Sequence, residues 1–328
     1  MGFGQYLTDH MLTIEWGLKD GWGKPEIKEL APMPLSPAIK ALHYATSAFE
    51  GFKVIKGVDK RSRLFRPEKH MERMRRSADR LCLPATLGVD ISTRAILCTI
   101  LSPVGAYFGP KKAGVSLYAD PRFVRAWEGG GGAFKLSSNY APTLYSQKFV
   151  KEKGCQTSLW LYGPEETLTE AGTMNIFVFW INEKGEKELL TPPLSGLILP
   201  GVTRESILEI TKAWNEFRVV EKNITMLQVL KAVEEKRLLH IFGTGTACVI
   251  SPVAELCYKN KRYAIPDSDD PDSVPQRILK EYRDIQLAHL GPRVVLVCLN
   301  LFINDLIEFQ LAVNGPHPWT HPIDQPAR

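Results

Sequence analysis

The period of apolar positions changes several times along this chain. Up to about Gly57, short apolar segments alternate with Gly and Pro turns, and HMLTIEWGLKDGW and FEGFKVIKGVDK read as antiparallel hairpins. From Pro67 the period lengthens. PEKHMERMRRSADRL puts Met71, Met74, Ala78 and Leu81 at helical spacing behind a first-turn proline, which predicts an amphipathic helix. RAILCTILSPVG is a continuous apolar strand candidate, and the GAYFGPKKAG that follows is broken by Gly and Pro. Beyond it, VSLYAD, TSLWLYG and MNIFVFWI predict strands, while YAPTLYSQKFVKEKG and TRESILEITKAWNEF predict helices. RLLHIFGTG is a helix end or a strand leading into a turn. Near the C-terminus, VVLVCLNLFI is too short to span a membrane and runs into Asn304 and Asp305.

Strands and helices on both sides of a breaker segment predict a two-domain α+β (mixed α/β) architecture. The expected division is a small domain over 1–104, an interdomain loop over 105–114, a large domain over 115–286 and a tail over 287–328. A length of 328 residues allows a sizeable core in such a chain.

Composition narrows the classes. The net charge of +5 comes from Lys and Arg interleaved with acids, so no nucleic-acid partner is expected, nor a membrane. Six scattered cysteines form no C-x-x-C pair and have no nearby His at ligand spacing, which predicts mostly buried thiols in a reducing compartment and no metal site. MGFGQYLTDHM lacks an apolar signal core and the Arg-rich character of an organelle presequence. The expectation is a cytoplasmic protein, with a processed mitochondrial form as the alternative.

Candidate chemistry begins at EGGGGAFKLSSNY, Glu128 to Tyr140, where Lys135 follows a glycine run. A phosphate loop would need Gly before the Lys and Ser or Thr after it; here Phe134 and Leu136 are the neighbours. Two readings stay open: a lysine on a mobile loop, or an amine that something approaches closely through the glycines. In TLTEAGTMNIFVFW, Glu170 and Thr173 sit near a Gly turn before an apolar strand. Glu170 is either a solvated acid or the partner of a cation, an interaction worth roughly 4 kcal/mol at about 4 Å and an effective dielectric of about 20. LILPGVTRES leads into a helix near Val202 and Thr203, whose open N–H groups suit an anion. The turn in IFGTGTACVIS, with Thr244 and Thr246, is a second anion nest or a plain turn. Arg66, Lys69, Arg73, Arg76 and Arg80 form a basic helical stripe, and spacing does not say which one grips an anion. There is no G-x-S-x-G, no H-E-x-x-H and no G-x-G-x-x-G, which argues against the corresponding hydrolase and dehydrogenase classes.

Together these groups are the set that pyridoxal phosphate needs. The chain also resembles the eukaryotic branched-chain amino acid aminotransferases, of the fold-type IV pyridoxal phosphate class. The resemblance lies in LTDHMLTIEW, LHYATSAFEGFKVIKG, RLFRPEKHMERM, LSPVGAYF, RAWEGGGGAFKLSSNYAPT, WLYGPEETLTEAGTMNIFVFW, LILPGVTRES and FGTGTACVISPV, from about Gly2 to Gln286. It implies that Lys135 binds the cofactor covalently and carries the catalytic proton. It further implies that Glu170 keeps the ring nitrogen protonated, that Tyr140 bonds the ring oxygen, and that Arg73 holds the phosphate with Val202, Thr203 and Thr246. Tyr44, Phe49, Lys53, Tyr107, Thr173 and Ala247 match positions that line or border the substrate pocket. The implied reaction moves the amino group of leucine, isoleucine or valine to 2-oxoglutarate, giving branched 2-oxo acids and glutamate, in a homodimer.

The chain departs from the family pattern in three places. Between Leu83 and Ile96 it has only PATLGVDISTRA, where family members carry several dozen more residues, including a strand of the type YVRP. That loss predicts unpaired strand edges in the small domain. Ser251 stands where animal members often have a second cysteine, and the tail beyond Gln286 has no family match. The alternative function is therefore an impaired variant that keeps cofactor binding or pairs with a full-length partner.

Overall fold

The computed structural model describes residues 5–57, 59–83, 93–103, 114–287, 294–301 and 319–322. The chain forms two compact units: one takes the described residues of 1–107, 134–138 and 283–328, the other those of 108–133 and 139–282. The first unit opens with β1 (His10–Gly17), β2 (Gly21–Trp22), β3 (Glu26–Glu29), α1 (Lys40–Tyr44), β4 (Ala48–Lys56), β5 (Ser62–Phe65), α2 (Pro67–Arg80) and β6 (Arg94–Pro103). The second holds β7 (Val115–Ala119), α3 (Thr143–Glu152), β8 (Thr157–Tyr162), β9 (Thr167–Ala171), β10 (Met174–Ile181), β11 (Lys187–Thr191) and α4 (Val202–Trp214). It continues with β12 (Arg218–Glu221), α5 (Met226–Glu234), β13 (Leu238–Gly245), β14 (Val249–Tyr258), β15 (Lys261–Ala264) and the start of α6 (Val274–Leu287). β16 (Val294–Leu301) and β17 (Thr320–Pro322) belong to the first unit.

In the first unit every described pairing is antiparallel, and the sheet runs β17, β5, β4, β16, β6, β1, β2, with β3 also on β1. The two expected hairpins are present as β1–β2 and β4–β5. The expectation of unpaired edges is not met at β4 and β6, because β16 lies between them and pairs with both. α2 starts with Pro67 and buries Met74 and Ala78, as its periodicity predicts. Its basic stripe is not uniform: Arg66 and Arg73 are buried, while Arg76 and Arg80 are exposed.

In the second unit, β9 pairs with β8 on one side and β10 on the other. The strands β10, β13, β14, β7, β8 and β9 thus close into a ring. Closure satisfies backbone groups that an open sheet would expose at its edges. RLLHIFGTG resolves as strand β13. Seven of the eight residues of β10 are buried, which explains its unbroken apolar run. Phe177 and Phe242 stack across β10 and β13 with ring centroids 5.3 Å apart, and both are fully buried. Cutting either to alanine would cost about 3–5 kcal/mol. The expected interdomain loop lies outside the described residues apart from Gly114.

Candidate active-site residues

Lys135 is held by its backbone before its side chain is considered. Residues 134–138 run along the start of β4, where Leu136 bridges Ala48 and the Phe49 N–H donates to the Lys135 carbonyl at 3.1 Å. The Ser137 N–H donates to the Ser47 carbonyl at 2.9 Å, and the Ser47 hydroxyl donates to the Ser137 hydroxyl at 2.6 Å. α2 adds a third hold: Ser77 Oγ accepts the Lys135 N–H at 2.8 Å while donating its own proton to the Arg73 carbonyl at 3.1 Å. The Lys135 ammonium lies over the Phe49 ring, 4.4 Å from its centroid. The Lys135 backbone is thus hydrogen-bonded on both sides rather than set in an open loop.

Behind it stands a buried ion pair. Arg73 donates from Nε to Glu50 Oε2 at 2.8 Å and from Nη2 to Glu50 Oε1 at 2.5 Å, a two-point grip that fixes the guanidinium plane. Burial pushes the Glu50 carboxyl up, but the charge of Arg73 and the hydrogen bonds from His70 and Arg73 more than offset it and hold it well below the carboxylate range. His70 Nδ1 lies 3.2 Å from Glu50 Oε1, and burial pushes its imidazole below its ordinary value. Lys53, farther along β4, is also buried.

In the second unit Glu170 is not a solvated acid at a strand entrance. It lies within β9 and is 2% exposed. Arg125 Nε sits 2.7 Å from its Oε2, and Arg125 also donates to the carbonyls of Gly132 and Leu197, each at 3.3 Å. The other carboxylate oxygen accepts from Asn175 Nδ2 and from the Leu199 N–H, both at 3.1 Å. Asn175 also donates to the Leu199 carbonyl at 2.8 Å. It crowds the helix entrance: a Cβ on Gly201 would come within 2.0 Å of Asn175 Oδ1. α4 therefore begins at Val202 behind a glycine and without a side-chain cap, which leaves first-turn N–H groups without that partner. Asn175 is also in register with Thr244 on β13, whose buried hydroxyl has no partner among the described residues. The turn expected over Gly243 to Thr246 starts later, at Thr246, because Gly243 to Gly245 complete β13.

Tyr140 follows the 3-10 turn Ser137–Asn139 and is half-buried, with its carbonyl accepting from the Thr143 hydroxyl at 2.6 Å. Among the expected pocket residues, Phe49 and Ala247 are half-buried and Thr173 is exposed in the β9–β10 turn. Tyr44 is 61% exposed on the single chain, so it is not part of an enclosed wall there. Tyr107 lies outside the described residues. The structure thus brings Lys135, Phe49 and Arg73 together in one unit, and Glu170, Val202, Thr203 and the β13 end together in the other. Sequence reasoning did not single out Arg125, Asn175, Glu50, His70 or Ser77. Arg125 and Glu50 do stand in the conspicuous stretches RAWEGGGG and AFEGF.

Comparison with known proteins decides the class. Residues 121–256 match the family described as amino-transferase class IV. The mitochondrial branched-chain-amino-acid aminotransferase of Bos taurus is 45% identical over 89% of this chain and 84% of its own length. The cytosolic one of Ovis aries is also 45% identical, over 87% and 84%. This chain belongs to the branched-chain-amino-acid aminotransferases. The fold of this aminotransferase is that of solved relatives: the Escherichia coli branched-chain amino acid aminotransferase superimposes with a TM-score of 0.65 at 20% identity, covering 86% of this chain and 96% of that one. The enzyme from Thermoproteus uzoniensis, solved with norvaline, gives a TM-score of 0.65 at 20% identity, covering 95% and 99%.

Proposed function

We propose that the chain transfers the amino group of leucine, isoleucine or valine to 2-oxoglutarate, giving branched 2-oxo acids and glutamate, with pyridoxal phosphate as cofactor. The observation that carries this reading is the fixed backbone around Lys135 in a chain of this family. The donor set fits the cofactor: a primary amine, a buried carboxylate, a helix start without a side-chain cap, and the buried hydroxyl of Thr244, without a partner among the described residues. Lys135, Arg73, Tyr140, Glu170, Val202, Thr203 and Thr246 would hold it, and when bound it supplies an electron sink for the bond broken at the substrate α-carbon.

The protein's own part is proton handling and orientation. Lys135 Nζ takes the α-proton and returns it on the other side of the transfer, as general base and then general acid. Glu170, held by Arg125 and Asn175, is kept from turning away, and the Tyr140 hydroxyl serves as a hydrogen-bond donor. Phe49 offers an apolar surface suited to a branched aliphatic side chain.

A homodimer acting on small molecules completes the proposal. The compartment we favour is the cytoplasm, with a processed mitochondrial form as the alternative; relatives from both compartments match at 45% identity. The short stretch after Leu83 favours a second reading, an impaired variant that keeps the cofactor. Borohydride reduction of the loaded protein should fix the label on Lys135, and the same sample should turn over leucine with 2-oxoglutarate. A label elsewhere, or none, overturns the first reading; a label on Lys135 without turnover selects the second.

A further inference from the structure

The C-terminal strand β16 reads VVLVCLNL, apolar except at Cys298 and Asn300, without the alternation of a strand that keeps one face in water. Its register explains the pattern. It makes eight pairs with β4, from Val294 opposite Ile55 to Leu301 opposite Ala48, and six with β6, from Val295 opposite Pro103 to Asn300 opposite Cys98. Among the described residues no other strand joins β4 to β6. Without β16 the sheet order breaks into β17, β5, β4 on one side and β6, β1, β2 on the other.

β4 is the strand that carries Phe49, against which the Lys135 ammonium lies, and Glu50, which grips Arg73. Asn300 is in register with Phe49, and Leu299 with Glu50. We infer that residues 294–301, in the C-terminal tail, are a positioning element of the reaction, a strand that holds β4 and through it Lys135 and Arg73. What those two residues do rests on the proposed function; where the strand lies does not.

Cys298 gives a two-sided test, because it stands opposite Gly51 on β4 and Ile100 on β6. Paired antiparallel residues have Cα atoms about 4.5–5.5 Å apart, within disulfide range. Gly51→Cys and Ile100→Cys, made separately in the full chain and oxidised with diamide, should each yield a disulfide to Cys298 on peptide mapping. Lys56→Cys, at the far end of β4 beyond the last pair, should yield none. Absence of both disulfides in folded protein overturns the inference. In the unmodified chain, amides of 294–301 should exchange as slowly as those of β4; exchange at the rate of an unstructured peptide overturns it as well.

The positioning role has its own readout in Val297→Pro, which removes a ladder amide from mid-strand. This variant should lose cofactor retention more than tenfold while the exchange protection of the second unit stays unchanged. Parental cofactor retention together with a displaced β16 would overturn positioning. If the disulfides form but borohydride leaves Lys135 unlabelled, the proposed function fails and the placement of the strand stands.

Discussion

Replacing Glu50 by glutamine probes the buried ion pair that it forms with Arg73. Glu50 is 0% exposed and Arg73 4%, and two hydrogen bonds join them at 2.8 and 2.5 Å. With its carboxyl held well below the usual range, Glu50 is ionised throughout the neutral region. Glutamine keeps the shape but removes the charge, and it turns one acceptor into a donor facing the guanidinium. A buried cation left without its partner costs about 3–5 kcal/mol. A pair about 4 Å apart at an effective dielectric of about 20 gives a Coulomb energy of the same size, roughly 4 kcal/mol. Against a total stability of about 5–15 kcal/mol, this is a large part of the margin. The assay is urea unfolding of cofactor-free protein at neutral pH, followed by circular dichroism. The double variant Glu50→Gln with Arg73→Met removes both charges and should recover much of the loss, because apolar replacement of a buried pair is often neutral. A single variant that loses less than about 1 kcal/mol, or a double variant as unstable as the sum of its parts, would refute the reasoning.

Acid should weaken the fold early. Burial lowers the pKa of both His70 and His240, so the unfolded chain takes up those protons first; stability is full above the unfolded value of about 6.5 and is lost as pH falls below it. Glu50, also lowered, adds its loss only below about 4.5. The urea midpoint should therefore drop between pH 7.5 and 5.5, and a rise would contradict the assignment of both histidines as neutral. Arg125→Met takes from buried Glu170 the cation 2.7 Å away and should cost about 3–5 kcal/mol, together with weaker binding in a pyridoxal phosphate titration; unchanged affinity would separate Glu170 from the cofactor. Gly132→Ala would place a Cβ 2.4 Å from Ala126 Cβ and 2.8 Å from the Leu197 carbonyl, so a loss of about 1–3 kcal/mol is expected in thermal unfolding, and a neutral result would mean the loop is looser than its contacts imply.

What could be read from sequence was what neighbours along the chain decide. The helix over Pro67–Arg80 follows from the spacing of Met74 and Ala78, and the strand Met174–Ile181 from an unbroken apolar run. α5 carried a legible signal that pattern reading passed over: Thr225 and Gln228 form a capping box, the T-x-x-Q signature just before Met226–Glu234. The candidate site residues stand out in the sequence only as a set, because each taken alone has an ordinary explanation. Solvated acid was the open alternative for Glu170. It fails because the partners that bury the acid, Arg125, Asn175 and Leu199, come from three separate stretches of chain. The fate of VVLVCLNL was illegible for the same reason. Its apolar run does not say which strands it joins, since its place depends on the edges of β4 and β6, which are formed far earlier in the sequence.

The glycines ahead of Lys135 show how tertiary contacts change the meaning of a local motif. A run of four glycines suggests freedom, yet a Cβ at Gly130 would meet the Trp127 indole at 2.9 Å and one at Gly132 would meet Ala126. At these two positions the space that the missing side chains leave is filled by the protein itself. Arg125 uses that closeness: it reaches the Gly132 carbonyl with Nη1 while Nε rests on Glu170. Three residues beyond Gly132, Lys135 is fixed by Phe49 and Ser77. At Gly130 and Gly132 the run is therefore packed against its own surroundings rather than free. These two glycines serve close packing, which is why a single added methyl group at either should be felt in stability before it is felt in chemistry.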